Sequence, residues 1–346
     1  MRMTVLASGS KGNSTVISSG RTRIVVDAGL SCRELMRRMA QAGEDSSTLD
    51  AILITHEHID HVAGLGVLAR KLKIPVFITE PTHREWVRML SPRSTMSYAK
   101  WLEQIQREKE ARAAAVAGGY DPAVDAASVK HLAAVASAPH SALRETVSIE
   151  AADAEEDGPV GPVSPINPVR RAAKKADATC LPAVEYFRAG VNFSIGDIAI
   201  TPFTIPHDAA DPCGFVFECE GVRMAMATDL GYMPPNVKAA LRRVDVLMLE
   251  SNHDLEMLRD GPYPWSVKQR VMSRVGHLSN LATAEFLEKD YDGTAEYIVL
   301  GHLSEANNAP ELARMAAEQA LGARGSLLGN KLLLANQASC LESITL

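Results

Sequence analysis

The chain has 346 residues, 46% of them apolar and 23% charged, enough material for a substantial core in one large or two ordinary domains. A formal net charge of −6 excludes a generic polyanion binder, so contact with nucleic acid needs a local basic patch or metal ions facing the phosphates. No apolar stretch is long enough to span a bilayer, and Met1 to Ala7 reaches Ser8-Gly9-Ser10 too soon to hold the apolar region of a signal peptide.

Along the chain, β-rich runs are expected at 4–6, 14–17, 23–26, 51–54 and 75–79, with helices over 32–42 and 64–72. Residues from about 94 to 183 differ in composition. A helix over 98–116 leads into Gly118-Gly119 and then a run of Ala, Ser, Pro and acidic residues with the basic Arg170-Arg171 and Lys174-Lys175. Few large apolar side chains occur there, so this stretch reads as a mobile, partly helical insertion in a single domain spanning 1–346. Strands resume at 198–204, 214–218, 223–227, 244–249 and 297–300, with helices over 234–242, 279–289 and 310–321. Interleaved strands and helices point to a layered α/β architecture. The five cysteines are scattered, odd in number and free of any C-x-x-C pair, as in a reduced cytoplasmic protein.

The run Thr55-His56-Glu57-His58-Ile59-Asp60-His61 carries the chemistry. It follows the apolar run Ala51 to Ile54, so a strand would deliver three imidazoles and two carboxylates from a loop anchored on a sheet. Imidazole nitrogen with carboxylate oxygen suits zinc or manganese, and no thiolate favours a softer ion. Four more candidates repeat the same grammar, a β-run followed by His or Asp: Asp27, His207, Asp229 and His302.

In this order, Asp27, His56-x-His58-x-Asp60-His61, His207, Asp229 and His302 resemble the metallo-β-lactamase superfamily, which implies a four-layer αβ/βα sandwich. The likeness runs from Met3 to about Asn336, interrupted by the insertion. Leu6 to Ser14, Asp27 to Ser31, Pro206 to Ala209, Ala227 to Gly231, Leu249 to Asp254, Gly261 to Trp265, Gly276 to Asn280 and Gly301 to Asn307 are similar to the YycJ/WalJ-like branch, regarded as metal-dependent 5′→3′ DNA exonucleases. Ribonuclease Z is the nearest well-understood relative in chemistry.

The resemblance implies roles residue by residue. His56, His58 and His207 would hold one divalent ion, Asp60, His61 and His302 a second, and Asp229 would bridge the two, as Zn or Mn. Asp27 would stand behind the ligands and orient one of them. His277 would give the leaving group its proton, with Glu250 setting its tautomer. Glu57 is not a ligand in the matching pattern. Two ions about 4 Å apart can share a hydroxide that attacks phosphorus, and they neutralise the charge that builds there. Ser8, Ser10, Lys11 and Asn13 would line a substrate loop able to hold the 5′-phosphate of a DNA end. His253 is expected at the surface or behind the ligands, and His83, His131 and His140 at the surface.

Asp229 and His302 stand too close in sequence to admit a β-CASP domain, and Asp rather than Cys at 229 argues against an antibiotic-hydrolysing member. Two other readings share the ligands: a glyoxalase II-like hydrolase of a small thioester or lactone, and a non-catalytic regulator. Glu250, His277 and the Ser8 to Ser14 loop favour the phosphodiesterase.

Overall fold

The computed structural model describes residues 1–91 and 178–346. In chain order the first half supplies β1 (Arg2–Ala7), β2 (Ser14–Ser18), β3 (Arg23–Val26), α1 (Cys32–Gln41), β4 (Ala51–Leu53), α2 (Ile59–Val62), α3 (Leu65–Leu72), β5 (Val76–Thr79) and α4 (Glu80–Leu90). The second half supplies β6 (Val184–Phe187), β7 (Phe193–Ile195), β8 (Ile198–Thr204), β9 (Cys213–Cys219), β10 (Val222–Ala227) and α5 (Pro235–Ala240). It continues with β11 (Val246–Glu250), α6 (Leu255–Asp260), α7 (Trp265–Val271), α8 (Asn280–Lys289), β12 (Tyr297–Gly301), α9 (Pro310–Leu328), β13 (Lys331–Leu334) and β14 (Ile344–Thr345).

The strands form two seven-stranded sheets, ordered β14-β1-β2-β3-β4-β5-β6 and β13-β12-β11-β10-β9-β8-β7. Each is antiparallel on one side and parallel on the other: β3 to β6 run parallel in the first, β10 to β13 in the second. Parallel strands covered on both faces read as unbroken apolar runs, and Val246-Leu-Met-Leu-Glu250 is buried at every position. Met3, Ile17 and Ile24 meet Phe215, Phe217 and Met248 between the sheets. On the outer faces, Leu35, Leu65 and Trp86 cover the first sheet, and Val237, Phe286, Leu287 and Ala317 cover the second. Three apolar layers between four layers of elements make the αβ/βα sandwich.

Burying Phe215 or Phe217 contributes about 2–3 kcal/mol each. The helices are anchored by their caps: Ser31, Thr79 and Ser279 accept from the backbone N–H of Glu34, Thr82 and Ala282.

The parallel strands β3, β4, β10, β11 and β12 release Asp27, Thr55-His56, Asp229, Glu250 and His302 at or just beyond their C-terminal ends, where open α/β sheets place their sites. Asp27, Asp229 and His302 have φ of 59°, 63° and 56°. Left-handed backbone costs a residue with a Cβ about 1–3 kcal/mol, and clusters at functional sites. Gly29 is forced by close approach: a Cβ there would fall 1.7 Å from the Asp60 carbonyl oxygen.

All ten strands expected from the sequence form, with small shifts at their ends. Strands β6, β7, β13 and β14 were not anticipated, because each is short and none is fully buried, so the apolar signal is weak. Helices α2, α4, α6 and α7 were also missed; α4 carries Thr79 as a cap and Pro81 in its first turn, signals that periodicity alone does not weigh. Helix α9 continues seven residues beyond the expected end at 321, across a break at Gly322. The helix over 98–116, the basic pairs at 170–175, His131 and His140 lie outside the described residues, as does most of 94–183.

Candidate metal centre

Two groups of side chains converge where the parallel halves of the sheets end. In the first, His56, His58 and His207 bring one ligand atom each to within 4.8 Å of one another. Thr55 Oγ1 lies 3.0 Å from His56 Nδ1, and His207 Nδ1–H donates to the Gly276 carbonyl at 3.1 Å. Both contacts direct Nε2 inward. His58 is turned the other way, its Nδ1 lying 3.2 Å from His207 Nε2. His56 Nε2 is buried without a partner.

The second group is Asp60, His61 and His302. His61 Nδ1–H donates to Asp27 Oδ2 at 2.8 Å, while the Thr55 backbone N–H and hydroxyl donate to the same carboxylate. His302 Nδ1–H donates to Glu250 Oε1, also at 2.8 Å. Asp60 Oδ2 stands 3.4 Å from His61 Nε2 and 3.5 Å from His302 Nε2, and accepts from Asn13 Nδ2. Asp229 lies between the groups: Oδ2 is 3.5 Å from His61 Nε2, and Oδ1 is 3.4 Å from His302 Nε2 and 3.9 Å from His207 Nε2.

The two groups differ in charge. Burial holds His56 well below the usual imidazole range, and His207 down to about 4. Burial also opposes the charged forms of His61 and His302. The carboxylates together outweigh it, Asp229 with Asp60 and Asp27 at His61 and Asp229 with Asp60 and Glu250 at His302, so both titrate well above the usual range. Asp60 and Asp229 are held well below theirs: burial works against ionisation, but His61 and His302 prevail.

The donor set fits divalent ions. His56 Nε2 and Asp229 Oδ2 are buried polar atoms with no hydrogen-bond partner, which is costly without a ligand. Five inward imidazole nitrogens with two carboxylates suit zinc, and the carboxylate-backed second group also suits manganese.

The remaining expected residues are placed as follows. His277 Nδ1–H donates to Glu250 Oε1 at 2.8 Å, but the same oxygen also holds His302. Glu250 therefore serves both histidines, where the sequence reading paired it with His277 alone. Its Oε2 accepts from the N–H of Leu230 and Leu278; against burial, His277 and then His302 bring its pKa down to about 2.

The Ser8 to Ser14 loop departs from its expected role in part. Ser8 is buried and accepts from the His302 N–H, and Asn13 is engaged by Asp60 and His61. Both support the centre rather than standing open to substrate. Lys11 is exposed and paired with Glu305 at 2.5 Å, and Ser10 is exposed.

Glu57 is buried, and its Oε1 accepts from the Ala210 N–H, bracing the loop after His207. His253 is fully buried, not at the surface, and outside every ligand group. His83 is partly buried, bonded to the Tyr186 hydroxyl. Thr55, Asn252 (which donates to the His302 carbonyl) and the Asp208–Arg270 pair were missed. Thr55 had a signal, a hydroxyl at the mouth of a buried strand beside two ligands. The other partners are separated by 50 residues or more.

Two family models match the chain: the metallo-beta-lactamase superfamily over residues 7–115, and the beta-lactamase superfamily domain over residues 163–302. The chain is 30% identical over 314 residues to exodeoxyribonuclease WalJ of Streptococcus pneumoniae serotype 2 (strain D39 / NCTC 7466), covering 91% of this chain and 86% of that one. It is 30% identical over 329 residues to exodeoxyribonuclease YycJ of Bacillus anthracis, covering 95% and 92%. Among solved structures, the metallo-beta-lactamase fold protein YhfI from Bacillus subtilis aligns over 99% of both chains with a TM-score of 0.56 at 12% identity, a likeness of fold alone.

Proposed function

The chain belongs to the metallo-β-lactamase superfamily, and on that premise we propose that it is a metal-dependent exodeoxyribonuclease that removes nucleotides from the 5′ end of DNA. The observation that carries the chemistry is the Glu250 carboxylate, held by two backbone N–H groups and shared by His277 and His302. A hydrolase needing only metal ions has no use for a further histidine on that carboxylate. A phosphodiesterase does, because its leaving alkoxide needs a proton.

His56, His58 and His207 would hold one divalent ion and Asp60, His61 and His302 the other, with Asp229 shared. When bound, such ions lower the pKa of water and neutralise charge developing on the phosphate. The protein supplies the rest. Glu250 fixes Nδ1–H on His277, so Nε2 is the atom that carries and delivers the proton. Asp27 and Thr55 lock the His61 ring, and Asn13 aims Asp60. Among the described residues no helix is long and apolar enough to cross a membrane. A DNA substrate and five scattered cysteines with no C-x-x-C pair support work in the cytoplasm.

The test is purified protein with Mn²⁺ or Zn²⁺ on end-labelled DNA carrying or lacking a 5′-phosphate. Stepwise loss from the 5′ end, absent in Asp60→Ala, is expected. Loss from the 3′ end would reverse the polarity. Thioester or lactone turnover without DNA cleavage would overturn the nuclease reading, and no turnover of any of them would favour a regulator.

A further inference from the structure

An acidic nuclease needs a local basic surface for its strand, and the basic residues singled out from the sequence do not provide one among the described residues. Lys11 is neutralised by Glu305, and the pairs at 170–175 lie outside the described residues. Residues 259–277 do better. They hold Arg259, Lys268, Arg270 and Arg274; Arg259 is paired with Asp260 and Lys268 is buried against the Arg259 carbonyl, so Arg270 and Arg274 are the cations that reach the surface beside the centre.

The C-terminal part of this segment is built into the wall of the centre. Its carbonyls at Val275 and Gly276 receive the Asp208 N–H and His207 Nδ1–H, and it ends in His277. The loop after Asp229 is pressed against it, since a Cβ at Gly231 would fall 2.2 Å from the Arg274 backbone. Two arginines stand on this wall. Arg270 Nε lies 2.5 Å from Asp208 Oδ2, while Asp208 Oδ1 lies 3.5 Å from His207 Nε2 and 4.0 Å from His58 Nε2. The Arg270 guanidinium is thus one carboxylate away from the first group of histidines, with more than half its side chain exposed. Arg274 lies over the Tyr232 ring at 4.4 Å from the centroid, both reaching solvent. A guanidinium over a phenol ring offers a cationic surface, and its Tyr232 half stands three residues along the chain from Asp229.

We propose that Arg270 and the Arg274–Tyr232 stack form the seat for the nucleotides flanking the scissile phosphate, the arginines on backbone phosphates and the stacked pair under a base. This rests on the nuclease reading. Asp208 holds Arg270 pointed at the mouth until a phosphate competes for its N–H groups, and Arg suits that exchange because its fork meets phosphate oxygens two at a time. Base stacking supplies affinity without sequence preference, as an end-directed nuclease requires.

The test measures binding of a fluorescein-labelled, phosphorothioate-linked single strand across a salt series, with KM and kcat on ordinary DNA and a thermal melt of each variant. Arg270→Ala and Arg274→Ala should each weaken binding and reduce the slope of log affinity against log salt by about 0.7, one phosphate contact in a single strand. Arg270→Lys should restore the slope. Tyr232→Ala should weaken binding about tenfold with the slope unchanged, and Tyr232→Phe should restore it. In each weakened variant KM rises more than kcat falls. Leu281→Ala, on the exposed face of α8, is the surface control. If the wild type cleaves DNA while Arg270→Ala, Arg274→Ala and Tyr232→Ala bind as it does, this proposal is overturned and the nuclease reading stands. If the wild type neither binds nor cleaves the strand, both fall.

Discussion

The two halves of the centre use similar side chains in opposite electrical settings. His56, His58 and His207 face a threonine hydroxyl, a backbone carbonyl and one another, and burial keeps His56 and His207 neutral. His61 and His302 are backed by Asp27 and Glu250 and face Asp60 and Asp229, so in the metal-free protein they hold protons. What a histidine does here is set by what stands behind its Nδ1. The first group is ready for a metal as it stands, whereas the second must release protons to accept one.

The largest test of this contrast is Asp229→Ala, which removes the one carboxylate both halves share. Nuclease activity should fall at least about a thousandfold, the several kcal/mol that metal ions supply to such a reaction. Elemental analysis should show metal lost from both groups, and loss from only one would show that Asp229 serves that half alone. His277→Ala should cost about a hundredfold in kcat, with metal content unchanged. Metal loss in that variant would make His277 a ligand and redraw the second half.

Glu250→Gln keeps the shape but loses the charge behind His302. Metal affinity of the second group should fall about ten- to a hundredfold while the first is retained, seen as loss of one ion per chain under a mild chelator. Proton release sharpens the same point. At pH 7, calorimetry in buffers of different ionisation enthalpy should find about two protons released on metal binding, from His61 and His302. Affinity of the second group should fall about tenfold per pH unit for each such proton on acidification, and no release would remove the contrast.

In the metal-free protein the signs oppose. The raised His61 and His302 contribute stability that is complete below the unfolded value near pH 6.5 and fades as pH rises through their folded values. The lowered His56 and His207 do the reverse, because the unfolded chain binds protons there first, so stability falls from pH 6.5 towards 4. The smallest effect belongs to Lys11→Ala. Its pair with Glu305 is exposed and screened by solvent, so the melting temperature should barely change. KM for 5′-phosphorylated ends should rise a few fold only if Lys11 leaves Glu305 for the terminal phosphate.

Much of the centre was legible in the sequence because its residues sit at strand ends, and an apolar run stopping at His or Asp is a local signal. The structure brings together all eight side chains singled out in this way, seven around the centre and Asp27 behind His61. Interleaved strands and helices showed a layered α/β architecture, while the four-layer sandwich followed only from the resemblance to the superfamily. The partners were harder to see. Glu250 reaches His302 because β11 and β12 are neighbouring parallel strands with Glu250 opposite Gly301, a pairing fixed only by the folded sheet. Asn13 was assigned to substrate because a polar loop beside metals looks free, yet its amide oxygen is held by the Gly9 N–H and its amide nitrogen by Asp60 and His61. His253 was expected either at the surface or behind the ligands; it is buried, and the loop after β11 carries no periodicity that would have chosen between the two.

The left-handed turns at Asp27, Asp229 and His302 bear on how such a protein changes under selection. At each, backbone energy alone favours glycine, while the chemistry keeps a carboxylate or an imidazole. Every folded molecule carries that tension, active or not. Selection for heat resistance without selection for cutting would press first on these three strand ends, and a relative that has drifted to glycine there would be a steadier scaffold with its centre dismantled.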